Sequence, residues 1–175
     1  ILNAQTYEWQ WAKAGGGTNG SSGVGFSPVD DEFIRDVVTD NNNNSYYLTA
    51  IYPGSPNLDG NAVTHYNNRD LLLFSLDCQG NVRWKRTIGG YGANEFAWKI
   101  SVDNNGGVYL MANFTNQAYQ SNPSRLPPRF DDNNAMPVIS IAESNTTSFD
   151  AGLKTAFLLK YNSANGNLAW QKPLQ

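Results

Sequence analysis

Apolar and polar residues alternate along this chain in short runs, and clusters of Asn, Asp, Gly and Pro separate the runs. Period-two alternation marks strands with one buried face, and Gly/Asx clusters mark the turns between them. The pattern is plainest in Asp70-Leu-Leu-Leu-Phe-Ser-Leu76, followed by the turn Asp77-Cys-Gln-Gly-Asn81 and by Val82-Arg-Trp84, running on to Gly89-Gly90. It predicts a hairpin with strands at 71–76 and 82–87. The same punctuation returns near the C-terminus, predicting strands at 156–161 and 168–174 around Asn162-Ser-Ala-Asn-Gly-Asn167. A hairpin that recurs in this way is the signature of a repeat.

Taken in order, Thr6-Tyr-Glu-Trp-Gln-Trp-Ala-Lys13 alternates aromatic and polar residues, with Trp9 and Trp11 on one face. Strands follow at 32–40 and 46–52. A Pro/Gly/Asn-rich loop over 53–68, with a short extended piece at 62–66, leads into the first hairpin. That makes a four-stranded meander. A second meander begins with 95–103, aligned with 32–40 at a separation of 63 residues, Asp40 to Asp103. The strand at 108–114 is set against 46–52, with Tyr109 over Tyr47, Leu110 over Leu48 and Ala112 over Ala50. A long segment, 115–154, then stands where the first meander has its loop, and its 135–142 stretch reads as an extra strand. Trp11, Trp84 and Trp170 also line up, and residues 11–17 fall on 84–90 without a gap.

Tandem four-stranded meanders are the blades of β-propellers, which bury their faces only against neighbouring blades. The expected fold is therefore all-β, built of antiparallel propeller blades. Residues 31–90 form a first blade and 91–175 a second blade with its insertion. Residues 6–13 are a strand completing a blade supplied elsewhere. Two meanders and one extra strand do not close a ring of about 4–8 blades, so an N-terminal portion of a longer protein is expected. The alternative is a two-sheet β-sandwich complete in this length. In either fold, Trp11, Trp84 and Trp170 are expected to be structural, locking sheet to sheet.

The stretch 70–84 with Gly89-Gly90, followed by Val102-Asp-Asn-Asn-Gly-Gly-Val-Tyr109, resembles the SBBP-type β-propeller repeat. The resemblance covers both units, most of the chain. It departs at Asn41–Asn44, where a Gly belongs, at Thr155 in place of Asp70, and in the length of 115–154. It implies a secreted protein of the kind common in Bacteroidetes, where export by the type IX system is frequent, and it says almost nothing about activity. Asn162-Ser-Ala-Asn-Gly-Asn-Leu-Ala-Trp170 is also similar to the Gly-x-x-x-Trp docking motif of quinoprotein-like propellers. That motif implies blade packing rather than a quinone site.

Composition narrows the function classes. Of 175 residues, 40% are hydrophobic and 13% aromatic, enough for a core; only 15% are charged and the net charge is −3. A net negative charge argues against a nucleic-acid binder, whose footprint is a basic face, and no apolar run is long enough for a membrane-spanning helix. Ile1-Leu-Asn-Ala-Gln5 reads as the remnant of a secretory signal peptide or a tail, giving a secreted or cell-surface expectation. The lone Cys78 sits in a turn, with no cysteine-hydrolase signature around it.

Candidate chemistry is sparse. The Gly-rich loop 15–25 lacks the Lys-Ser/Thr ending of a phosphate-binding loop. Asp40-Asn-Asn-Asn-Asn44 and Asp103-Asn-Asn-Gly106 lack the ligand frame of a calcium loop and read as self-capping turns. Asp131-Asp-Asn-Asn134 is a speculative oxygen cluster. His65 is the single histidine and reads as a surface residue. No catalytic, cofactor-binding or metal residue is assigned, and no cofactor is expected. The insertion offers Tyr119, Arg125, Arg129 and Phe130 as a contact surface for a partner or a glycan, since long loops in compact domains are often functional. The leading expectation is a non-catalytic secreted propeller segment for binding, adhesion or cell-surface assembly. Its partners would be other blades or protein subunits, a glycan or a cell-surface protein. One alternative is an extracellular propeller enzyme, polysaccharide-active or quinoprotein-like, with its site in further blades. Another is a structural subunit of an extracellular assembly.

Overall fold

The computed structural model describes residues 11–16, 33–52, 54–66, 69–90, 96–115, 129–135 and 154–174. These residues are all-β, with antiparallel pairing throughout and no closed sheet. The strands are β1 (Gly15–Gly16), β2 (Phe33–Thr39), β3 (Ser45–Ile51), β4 (Asn57–Leu58), β5 (Asn61–Ala62), β6 (Asp70–Leu76), β7 (Val82–Ile88), β8 (Phe96–Val102), β9 (Gly107–Thr115), β10 (Lys154–Asn162) and β11 (Leu168–Leu174). Among the described residues no helix is long and apolar enough to cross a membrane.

Two four-stranded sheets carry the fold. The first has the order β2-β3-β6-β7 and the second β8-β9-β10-β11, so each is a meander of consecutive long strands. β1, β4 and β5 form a small third sheet, where the sequence suggested only an extended piece at 62–66. Of the expected strand at 6–13, residues 6–10 lie outside the described residues, and Trp11–Lys13 are not in a strand. The expected strand at 135–142 is outside them too, except Ala135, which forms a single bridge to Arg129.

The two large sheets repeat in detail. Asp40 Oδ1 accepts the Asn42 and Asn44 N–H groups, and Asp103 Oδ1 those of Asn105 and Gly107. The hydroxyl of Tyr46 donates to Asp40 Oδ2 at 2.8 Å, and that of Tyr109 donates to Asp103 Oδ2 at 2.7 Å. The match is therefore Tyr46 with Tyr109, at the same separation of 63 residues as Asp40 with Asp103. The expected pairing of Tyr109 with Tyr47 is one residue out. That slip matters, because successive strand residues point to opposite faces. Bulges recur as well, between Ile34/Asp36 and Ala97/Lys99, and between Ser75/Leu76 and Lys160/Tyr161.

The sheets pack face to face. Tyr46, Leu48, Leu71, Leu73 and Ile88 of the first meet Ile100, Leu110, Phe157, Leu159 and Tyr161 of the second. β2 lies against β8, where the Asp36 carboxylate accepts the Ile100 N–H at 2.9 Å. The opposite face of the first sheet is apolar too: Ile51, Leu72, Phe74 and Leu76 pack with Leu58, Val63 and Trp11. All seven residues of β6 are buried, which explains why its sequence reads as a nearly continuous apolar run rather than a clean alternation.

The insertion contributes to this core. Arg129 and Gly89 exchange backbone hydrogen bonds of 2.7 and 3.0 Å, fastening the segment to the end of β7. Phe130 is 1% exposed and forms an edge-on cluster with Phe114 and Phe157, centroids 5.6 and 5.1 Å away. The Tyr161 hydroxyl donates to its carbonyl at 2.6 Å.

Candidate docking interface

The most specific contact between the sheets is made by Trp84 on β7. Its ring lies on the turn between β10 and β11, and its Nε1–H donates to the Ser163 carbonyl at 2.9 Å. The turn residue beneath the ring is Gly166, at φ +71°. A Cβ there would stand 2.5 Å from Cε3 of the indole and 2.6 Å from Cδ2, so only glycine lets the ring seat. The left-handed φ already favours glycine; the approach of the indole is a second, independent demand. Tyr46 flanks the ring at 5.9 Å. Beside it, the Arg86 guanidinium clamps the same turn, donating to the carbonyls of Gly166 (3.0 Å) and Asn165 (2.8 Å) and to Asn167 Oδ1 (3.0 Å).

The arrangement occurs a second time. Trp11 lies over Gly80, the φ +81° residue in the turn between β6 and β7, and a Cβ there would be 2.6 Å from its Cδ2. Trp11 stands to the first sheet as Trp84 stands to the second. Its segment is held by pairing of β1 with β4, by the Asp59 N–H to Ala14 carbonyl bond of 2.7 Å, and by a 2.7 Å Lys13–Asp59 ion pair. Beside Trp11 is a cavity of about 380 Å³ lined by Tyr47, Ile51, Leu72, Phe74 and Leu76 among others. Lys13, already paired, is the one charged side chain among its described lining residues, so the lining is poor in the convergent polar groups that orient a ligand.

Trp170 on β11 is the third of the set. Tyr109 flanks it at 6.1 Å, as Tyr46 flanks Trp84. It is 40% exposed, against 6% for Trp84. The three tryptophans singled out by the sequence thus occupy equivalent places: two are docked on turn glycines and one faces outward.

The contact residues expected on the insertion fare differently. Tyr119 and Arg125 lie outside the described residues. Phe130 is interior, because an aromatic ring between two apolar sheets is more favourable there than in water, so it is no part of an exposed patch. Arg129 is half-buried, and its guanidinium donates to the carbonyls of Asp131 and Asp132, at 3.3 and 2.5 Å. Asp131, in the speculative oxygen cluster, spends both oxygens on Asn133 and Asn134. His65 and Cys78 are both exposed. Among the described residues no group of His, Cys, Asp and Glu is gathered as metal ligands.

The electrostatics serve structure. The Tyr109 hydroxyl and the Gly107 N–H hold the Asp103 carboxyl down to about 2. Asn81, through its side chain and its N–H, lowers Asp77 in the same way. Burial opposes the shift at Asp40, but the hydrogen bonds from Asn44, Tyr46 and Asn42 outweigh it and hold the carboxyl below the usual range. Burial pushes the Tyr46 phenol up, helped by its bond to Asp40, and drives Tyr161 well above its ordinary value. Burial and the Asp132 charge push Tyr66 up to about 12. These carboxylates and phenols move away from neutrality, the reverse of what acid–base catalysis asks of its groups. Arg86 was not legible in sequence, because its partners lie about 80 residues on and nothing local marks them. The Asp40/Tyr46 and Asp103/Tyr109 spacings were a readable signal for the true register.

No family model, no curated protein and no solved structure matches this chain.

Proposed function

We propose that this chain is a non-catalytic stacking segment of a β-propeller, working outside the cell in binding, adhesion or cell-surface assembly. The observation that carries the reading is the first sheet: both of its faces are apolar, one covered by the second sheet and the other covered over β3 and β6 by Leu58, Val63 and Trp11 while Ile34 and Val37 of β2 stay exposed, and each face meets a tryptophan docked on a turn glycine. In a two-sheet sandwich each sheet has one covered face and one wet face. A sheet with apolar residues on both faces, each face met by a tryptophan on a turn glycine, fits a middle layer, and radial repetition is one architecture that demands such layers. The use of Asp40, Asp77 and Asp103 to cap their own turns supports a scaffold over a reactive site. The extracellular part of the reading rests on the repeat resemblance.

The test is imaging of the native particle that contains this chain, purified from the producing organism, by electron cryomicroscopy. A radial array of four-stranded sheets is expected. A closed two-sheet sandwich, with Trp170 facing solvent, refutes the reading.

A further inference from the structure

The outer face of the second sheet repeats the face by which the first sheet binds it. With Asp40 matched to Asp103, Tyr46 corresponds to Tyr109 and Leu48 to Met111. With the hairpins matched, Leu73 corresponds to Leu158, Trp84 to Trp170 and Ile88 to Leu174. The strand registers agree: Leu48 pairs with Leu73, and Met111 with Leu158. In the first sheet Leu48 and Ile88 are 0% exposed because the second sheet covers them. In the second, Met111 and Leu174 are 47% and 44% exposed. At these five positions the residues are of the same kind and differ in being uncovered; between them Lys160 stands where the first sheet has Ser75, Asn113 where it has Ala50 and Ala156 where it has Leu71, so the outer face is the more polar of the two.

From this we infer that the outer face of β9, β10 and β11 binds a separate four-stranded antiparallel sheet whose last hairpin presents a left-handed turn glycine to Trp170. The inference rests on the stacking reading and names its next partner. The interface between the two sheets specifies that partner. The glycine must lie under the indole, as Gly166 lies under Trp84. A backbone carbonyl of the same turn must accept the Trp170 Nε1–H, as Ser163 does for Trp84. Apolar strands must cover Met111 and Leu174. A second copy of this chain meets the demand poorly at its first sheet, because its Gly80 is already covered by its own Trp11. Two outer faces set against each other meet it no better, since Gly166 of each copy is already beneath Trp84.

The probe is the full chain with residues 91–175 repeated after Gln175. Exchange of the tryptophan indole N–H protons is followed by NMR in the parent and the extended chain. In the parent, Trp84 is expected to be protected and Trp170 to exchange fast. In the extended chain Trp170 is expected to slow at least 100-fold. Gly166→Val in the appended copy alone restores fast exchange at Trp170 and leaves Trp84 untouched. Fast exchange at Trp170 in the extended chain, with Trp84 still protected, overturns this inference and leaves the stacking reading standing. An appended copy that stays unfolded overturns it too, because the face has then failed to seat a sheet of the stated kind. A concentration-dependent dimer of the parent that protects Trp170 overturns it in favour of a second copy. Loss of Trp84 protection in the parent strikes at the stacking reading itself.

Discussion

Replacing Gly166 with alanine tests the seat of Trp84 directly. Two costs follow from the geometry. The φ of +71° is left-handed, which costs an L-residue about 1–2 kcal/mol. The new Cβ would also stand 2.5 Å from the indole, so the ring must withdraw by roughly 1 Å to reach ordinary contact. Complete loss of a buried Trp side chain costs about 3–5 kcal/mol, and a withdrawn ring forfeits part of that. Its bond to Ser163 is worth about 1 kcal/mol more. The total comes to about 3–4 kcal/mol. With a urea m-value of about 2 kcal/mol/M, the midpoint falls by about 1.5–2 M. Gly60→Ala is the control: its φ is +76°, and a Cβ there meets nothing within 4 Å. It suffers the backbone cost alone, about 1–2 kcal/mol. Urea melts followed by tryptophan fluorescence compare the two variants. Equal midpoint shifts would refute the claim that the indole on the turn holds the sheets together. A cycle with Trp84→Ala sharpens the result, since contacting partners couple and their separate losses do not add.

Phe130→Ala removes a buried ring from between the sheets and is expected to cost about 3–5 kcal/mol; thermal melting reads it, and an unchanged melting temperature would mean the insertion is not anchored in the core. Stability is expected to depend on pH through Asp103, whose carboxyl is lowered to about 2 from 3.8. A depressed carboxyl contributes stability that is present above the unfolded value and lost as pH falls through the folded one. Urea melts should therefore weaken between about pH 4 and 2, and Asp103→Asn should flatten part of that slope. Asp36→Ala strips the Ile100 N–H of its acceptor across the sheet boundary, at a cost of about 1–3 kcal/mol; the Ile100 amide should then exchange faster with solvent, and unchanged protection there would show the bond to be dispensable.

Much of the fold was legible because its causes are local. Strand and turn positions follow from alternation and from Asx and Gly placement, and the strands expected at 32–40 and 95–103 formed as β2 and β8. The register within the repeat was less secure. Tyr46-Tyr47 offers two adjacent aromatics, and choosing the wrong one turned the second strand's faces over. The phenol-to-carboxylate bond across six residues settles the choice, because Tyr46 and Tyr109 each sit six positions after the aspartate they bind. The place of Phe130 in the core was not legible for a different reason. Its burial depends on Phe114 and Phe157, which lie far away in sequence.

By itself, then, the sequence determined that this is a repeat of antiparallel meanders, where its turns fall, and which three tryptophans are equivalent. Those properties reside in spacing and residue type. Only the tertiary structure decided what each tryptophan does. Trp84 is buried because a turn glycine some 80 residues on lies beneath it, and Trp11 is partly buried because Gly80 lies beneath it. Trp170, with the same neighbour in Tyr109, is left outward. Burial is a property of what packs against a side chain, and nothing within reach of local sequence carries that information.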